Sequence, residues 1–296
     1  MISLLLPSRK RPEILERMVK SVRDTATNHV EIVVRFDDDD LESADEAPGD
    51  VSTSDHVDES ELDVPPEYGV VAIVGPRYRK MTIYWNECFD VCGGDIVCQA
   101  NDDMLFTTPG WDVMVEKAFA EVPDKMLLVH GDDVFGHRGN FGPHAFVHRK
   151  WIETLGYFIP PYFCSDFGDA WINELADRIG RRRYVPFNVE HRHFSHGFPE
   201  MEDENTKDRL ARHAEDDPDA IYYSQEKMAE RARDAQKLAA LMDAAVDTHG
   251  WTPPKERSGI LSMGKCPKCG SVSTVPGANG KIHCNQDGHE WDRVKK

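Results

Sequence analysis

The chain predicts an α/β fold, a parallel-rich sheet with helices on its faces. One observation behind this is rhythm: strand, helix, strand, helix recurs along the first hundred residues. A second is the character of the strands, which read as continuous apolar runs of the kind buried on both faces. The third is size, since 296 residues give room for one large domain or a medium domain with appendages.

The elements follow in order. Ile2 to Leu6 is a first apolar strand, followed by Pro7-Ser8-Arg9-Lys10-Arg11-Pro12. A helix starts near Pro12, a residue tolerated in a first turn, and Ile14, Leu15, Met18, Val19 and Val22 give it helical spacing. Glu31 to Phe36 is a second strand ending in Asp37-Asp38-Asp39-Asp40. Tyr68 to Val74 is a third, Met81 to Cys92 a helix, and Asp95 to Cys98 a buried strand. Further strands are expected at Met126 to His130 and His144 to His148, then a helix from about Phe167 to Ile179. Tyr184-Val185-Pro186 and the segment Val189 to His196 come next. From Thr206 to Val246 the pattern is helical, broken at Asp216-Asp217-Pro218, with a last helix that packs on the body. The expected organisation is a main domain over 1–205 with an acidic insertion at about 41–64, a helical extension over 206–250, a linker over 251–261 and a small tail over 262–296. The insertion is acidic and poor in apolar residues, as solvated segments are.

Composition narrows the function. An apolar fraction of 40% with 30% charged residues describes a soluble globular protein, and no run approaches the roughly 18 apolar residues of a membrane span. The amino-terminal apolar run is too short for a signal-peptide core, so a cytoplasmic setting is expected, a host's cytoplasm if the gene is viral. The net charge of −18 disfavours extended contact with a nucleic-acid backbone or an anionic membrane. That charge is uneven: 262–296 carries six basic and three acidic residues, leaving −21 on the rest. Of seven cysteines, Cys88, Cys92, Cys98 and Cys164 lie among apolar residues and read as buried thiols, while Cys266, Cys269 and Cys284 cluster in the tail. An odd total argues against a disulfide framework.

The most informative stretch is Gln99-Ala100-Asn101-Asp102-Asp103-Met104, where an apolar strand ends in paired carboxylates before the turn Pro109-Gly110-Trp111. Mg²⁺ sites commonly join one or two carboxylates to substrate phosphates, and ligands of open α/β sheets gather outside the carboxyl ends of strands. Taken in order, the motifs resemble the GT-A-fold glycosyltransferases, in particular inverting enzymes of the family 2 type, over roughly 1–205. Leu4-Leu5-Leu6-Pro7-Ser8-Arg9-Lys10-Arg11-Pro12 resembles the opening strand and nucleotide loop. Val33-Val34-Arg35-Phe36-Asp37-Asp38 resembles the second strand with its base-binding aspartate. Asn86 to Asp95 resembles the helix before the metal strand, and Gln99 to Met104 with Pro109-Gly110-Trp111-Asp112 the metal motif and its turn. Asp166-Phe167-Gly168-Asp169-Ala170-Trp171 with Gly180 resembles the region of the catalytic base, and Glu190-His191-Arg192-His193 a late histidine motif.

The resemblance implies a Rossmann-like GT-A sheet, mixed and mostly parallel, and a sugar moved from a nucleotide-diphosphate donor, a uridine diphosphate sugar by preference. It implies Mn²⁺ or Mg²⁺ at the donor, neutralising charge on the departing diphosphate. Asp103 is then the metal ligand and Asp102 its neighbour on ribose or metal. His193 completes the site, with His191 and His196 as rivals. The family pattern is Asp-x-Asp; Asn101 holds its first position here, a departure that bears on coordination. Asp169 is the base that takes the acceptor's proton, with Asp166 as alternative. Pro7, Ser8 and Arg9 form the nucleotide loop, Asp37 and Asp38 hold the base, and Arg9, Arg77 and Lys80 meet the diphosphate. The acceptor is a protein, a glycan or a modified nucleobase.

In the tail, Cys266-Pro267-Lys268-Cys269-Gly270 reads as a zinc knuckle and His283-Cys284-Asn285-Gln286-Asp287-Gly288-His289 as its second half. The tail resembles a zinc ribbon holding Zn²⁺ through Cys266, Cys269, Cys284 and either His289, the preferred fourth ligand, or Asp287. It would recruit the acceptor. Two other readings stand beside this one: a zinc-ribbon adaptor whose body only binds nucleotide, and a nucleotidyltransferase. The second is weakened because the loop after the first strand holds no glycine.

Overall fold

The computed structural model describes residues 1–46, 70–134, 137 and 139–242, together with three short tail strands. The chain divides into two units, 1–249 and 250–296.

The first unit is built on one eight-stranded mixed sheet. In chain order its elements are β1 (Ile2–Pro7), α1 (Pro12–Thr25), β2 (Val30–Asp37), α2 (Leu41–Asp45), β3 (Val70–Gly75), α3 (Thr82–Val91) and β4 (Ile96–Gln99). Then come β5 (Met104–Phe106), α4 (Trp111–Ala120), β6 (Leu128–Asp132), β7 (Phe146–His148), α5 (Arg149–Leu155), α6 (Gly168–Arg178) and β8 (Arg182–His191). The helices α7 (Glu204–Asp216), α8 (Pro218–Tyr222) and α9 (Gln225–Ala239) close the unit. The strands lie in the order β3-β2-β1-β4-β7-β6-β8-β5. The pairs β3·β2, β2·β1, β1·β4 and β6·β8 are parallel, while β7 lies antiparallel to β4 and β6, and β5 antiparallel to β8. The α/β class with a mixed, mostly parallel sheet is therefore what the chain adopts.

Alternation along the strands feeds two cores. Leu4, Leu6, Ile32 and Val34 face α1 and α4, meeting Met18, Trp111 and Phe119. Leu5, Val33 and Val97 face the other way, onto Trp85, Trp151 and Trp171 of α3, α5 and α6. Helix α9 packs on α5 and α6 and buries Arg231 over the rings of Trp171 and Tyr222. The four body cysteines are buried and unpaired by disulfides, as their apolar neighbours required. No helix among the described residues is long and apolar enough to cross a membrane.

The structure departs from the sequence reading at three places. The pieces Tyr184-Val185-Pro186 and Val189 onward belong to one ten-residue strand, β8. It tolerates Pro186 because the register against β6 slips between His130 and Asp132, where a missing N–H breaks no regular ladder. The turn at Gly110 opens a helix, α4: Gly110 takes φ +74°, a conformation that favours glycine, and Trp111 starts the first turn. Met104 to Phe106, too short to show alternation, is a strand paired to the end of β8.

In the second unit β9 (Thr274–Pro276), β10 (Lys281–Cys284) and β11 (Glu290–Asp292) form an antiparallel sheet. Cys284 ends β10; Cys266, Cys269, Asp287 and His289 lie outside the described residues, as do most of the acidic insertion beyond α2 and the linker.

Asp112, read from sequence only as part of the turn after the metal motif, is a fold residue. Its buried carboxylate accepts from the backbone N–H groups of Thr27 at 2.9 Å and Asn28 at 2.7 Å, pinning the α1–β2 corner. Asp112→Ala strands both donors and is expected to cost about 2–3 kcal/mol in urea unfolding; a loss below about 0.5 kcal/mol, the surface range, would contradict this role.

Candidate active site

The chain runs outward from β1 to β2 and β3, then returns to β4 on the other side of β1. Strand order reverses there, and such a switch point opens a crevice at the carboxyl ends of the strands. One cleft occupies it. Of the residues singled out in the sequence, Pro7, Ser8, Arg9, Asp37, Arg77, Asp102, Asp103, Asp166, Asp169, His191 and His193 all line it. Asp38 and Lys80 do not. Asp37 turns inward at the end of β2, so its successor turns out, and both Asp38 and Lys80 are exposed.

Asp102 and Asp103 form the turn between β4 and β5, and both are buried. Asp102 accepts from Ser8 Oγ at 3.0 Å and from Arg11 Nη1 at 3.3 Å. Burial pushes its carboxyl up, Arg11 offsets part of this, and the adjacent Asp103 adds to the rise. The pairing of Met104 with His191 carries the end of β8 alongside, and Arg192 N–H donates to the Asp103 carbonyl at 2.8 Å. His191 Nε2 thereby stands 3.5 Å from Asp103 Oδ2. Burial works upward on Asp103 as well, but His191, with His193 and His144 behind it, holds this carboxyl well below the usual range. Asp103 Oδ1 is buried and has no hydrogen-bond partner.

The histidines differ in freedom. His193 Nδ1 is engaged with Ser195 Oγ at 2.8 Å and its Nε2 faces Arg209 Nη2 at 3.3 Å. Burial, then the Arg209 charge, lowers it to about 3. His191 is thus the imidazole beside the aspartate pair, and His193 is committed elsewhere. Among the described residues no three His, Cys, Asp or Glu side chains already converge as a metal centre. The donors present, an unpartnered carboxylate oxygen and a neighbouring imidazole, fit a divalent cation that takes its remaining ligands from water and phosphate.

At the β2 end, Asp37 accepts from the buried Tyr84 hydroxyl through Oδ1 at 2.7 Å and from Arg9 through Oδ2 at 3.2 Å, with Arg77 Nε 3.8 Å from that oxygen. Arg35 lies over the Tyr84 ring, 4.8 Å from its centre, and bonds Glu87 at 2.6 Å. Arg9 and Arg77 therefore sit at the Asp37 end, not beside the aspartate pair. The cation at the pair is Arg11, which the sequence offered only as a charge in the loop.

The two carboxylates near the start of α6 have opposite surroundings. Asp166 is ion-paired with Arg209 at 2.8 Å and His213 at 3.1 Å; these outweigh burial and hold it well below the carboxylate range. Asp169, in the first turn of α6, accepts only the adjacent Ala170 N–H, at 2.7 Å. Burial raises it to about 6. The sequence missed Arg11, Tyr84 and Arg209, whose carboxylate partners are 43 to 192 residues distant. Arg209 in particular reaches Asp166 from 43 residues away, and nothing local marks it.

No protein-family model and no curated protein sequence matches the chain. Among solved structures it is similar to a mannosyltransferase of Pyrobaculum calidifontis, described in complex with GDP-mannose and Mn²⁺. The identity is 13%, the TM-score 0.44, and the match covers 81% of this chain and 73% of that one. It is also similar to residues 1–349 of S. aureus TarS, at 10% identity and a TM-score of 0.43, covering 83% and 82%. Likenesses at this level leave the reading of the cleft to its own residues.

Arg11 ties three parts together: its guanidinium bonds Asp203 at 2.6 and 2.9 Å, Thr206 at 3.2 Å and Asp102. Arg11→Ala leaves Asp102 buried without its cation and is expected to destabilise the fold by about 3 kcal/mol. Hydrogen exchange at the start of α7 should rise with it; unchanged protection there would sink this role.

Proposed function

We propose that this chain is a metal-dependent, inverting glycosyltransferase that moves a sugar from a uridine diphosphate donor to an acceptor hydroxyl or amine. The observation that carries it is the pairing, in one cleft, of a buried Asp102–Asp103 turn having an unpartnered carboxylate oxygen with a carboxylate poised as a base. Asp103 and His191 would hold Mn²⁺ or Mg²⁺, and a cation there would supply positive charge against the departing diphosphate. Arg11 and Ser8 orient Asp102 toward the ribose or the cation. Asp169 takes the acceptor's proton as the acceptor attacks the anomeric carbon from the face opposite the diphosphate. The bond to the diphosphate oxygen breaks as the new one forms, and configuration inverts. Asp166, held anionic by Arg209 and His213, positions the wall beside the base and is a poor proton acceptor.

A uridine donor is the preference that the sequence resemblance carries; Asp37, bonded through Oδ1 to the Tyr84 hydroxyl and through Oδ2 to Arg9, stands at the end of β2 where the base would be met. The acceptor is a protein, glycan or modified nucleobase, and recruitment by a zinc-bound tail belongs to the same reading, resting on the Cys266, Cys269, Cys284 and His289 spacing.

Mn²⁺-dependent turnover of a UDP-hexose is the expected activity, and its absence across UDP- and GDP-sugars would overturn the proposal. Asp169→Asn should lower kcat by a factor of about 10² to 10⁴, the usual contribution of a positioned base; Asp166→Asn should cost less. Because Asp169 works ionised and titrates at about 6, kcat/KM should fall about tenfold per pH unit below that value and level off above it. A flat profile from pH 5 to 8 would count against Asp169 as the base.

A further inference from the structure

Two buried polar side chains in the cleft have no part in the chemistry above. Gln99 is 7% exposed and its Oε1 meets no partner; His144 is 5% exposed and neither ring nitrogen makes a hydrogen bond of normal geometry. Both residues line the cleft. Buried polar groups left unpaired are costly, and native chains retain them mainly where something outside the fold satisfies them.

The sheet sets them side by side. Gln99 ends β4 and its N–H donates to the Ala145 carbonyl at 3.1 Å, so His144 comes in next to it on the approach to β7. The Gln99 amide rests against the start of α6. A Cβ on Gly168 would stand 3.6 Å from Gln99 Nε2 and 2.7 Å from an Ile159 methyl, which is why glycine is needed one residue before Asp169. On the other side the His144 ring packs edge-on against His191, centroids 4.6 Å apart, and His191 stands beside Asp103. Gln99 and His144 thus span the cleft floor from the Asp169 side to the Asp103 side.

Their chemistry selects the ligand. Gln99 Oε1 can only accept, and an imidazole always presents at least one N–H donor. A phosphate oxygen cannot satisfy the amide oxygen, and an apolar group satisfies none of them. A hydroxyl both donates and accepts. We propose that Gln99 and His144 form a sugar-hydroxyl subsite that holds hydroxyl groups of the donor's hexose ring and determines which sugar is accepted. This rests on the glycosyltransferase reading of the same cleft.

Calorimetry with Mn²⁺ tests it, comparing UDP with UDP-glucose, UDP-galactose and UDP-N-acetylglucosamine on the full chain, Gln99→Met and His144→Phe, with a thermal melt of each. The native chain should bind at least one UDP-sugar about tenfold or more tightly than UDP, the range that hydrogen bonds to buried partners give. Each variant should lose that margin while its UDP affinity stays within about twofold. Gln99→Met should also melt higher, because an apolar chain of equal length replaces an unpaired amide. A sugar margin untouched by either variant overturns the subsite, as does a native chain that binds UDP but no UDP-sugar more tightly. Loss of Mn²⁺-dependent UDP binding in His144→Phe makes that residue a support of the cation site and overturns its assignment. If the native chain binds none of the four ligands, the glycosyltransferase reading fails and the subsite with it.

Discussion

Two carboxylates side by side in a buried turn repel each other, and the first unit is organised around making that tolerable. Asp102 receives a hydroxyl from the loop after β1 and a guanidinium from the residue before α1. Asp103 receives His191, delivered by a three-residue strand that pairs the end of β8 to the turn. Even α7 is drawn in, since its N-cap residue Asp203 holds the Arg11 guanidinium in place. After these compensations one oxygen of Asp103 still has no partner. Buried oxygens left this way are uncommon in native chains, and a bound ligand is one thing that satisfies them.

Environment also separates residues that sequence treats as equals. Asp166 and Asp169 lie three positions apart, yet one is neutralised by Arg209 and His213 and the other has only a neighbouring N–H. Their proton affinities diverge in consequence, and a pair driven apart in this way is how acid and base roles are divided between like groups. The same contrast marks the histidines: His193 has both nitrogens engaged, whereas His191 faces the aspartate pair and His144 faces the cleft unbonded. Arg11, Arg77 and Arg209, which line the cleft, are each met by a carboxylate.

Much of this was legible in the sequence because it is local. The strands β1 to β4 declare themselves as apolar runs, and the residues just beyond their ends, Pro7 to Arg9, Asp37 and Asp102–Asp103, are brought to one crevice by parallel order alone. What was illegible depends on partners remote in the chain. Pro186 argued against a continuous strand until the register slip opposite it removed the objection. Arg11 looked like any basic residue in a loop, since its partners are 91 and 192 residues away. Gln99 and His144 carry no motif; only their burial without partners sets them apart, and burial is a property of the assembled sheet. Asp38 stays outside the cleft lining because one step along a strand end reverses the direction of a side chain, and Lys80 because it is exposed on the segment between β3 and α3.

The proposed function depends most directly on a divalent cation that the unpartnered oxygen of Asp103 would help to hold. Crystals grown with UDP and Mn²⁺ and measured at the manganese edge test this directly. An anomalous peak within about 2.3 Å of an Asp103 carboxylate oxygen, with diphosphate oxygens completing the shell, is the expected result. UDP bound in the cleft with no metal at Asp103, or with the metal coordinated elsewhere, would contradict it.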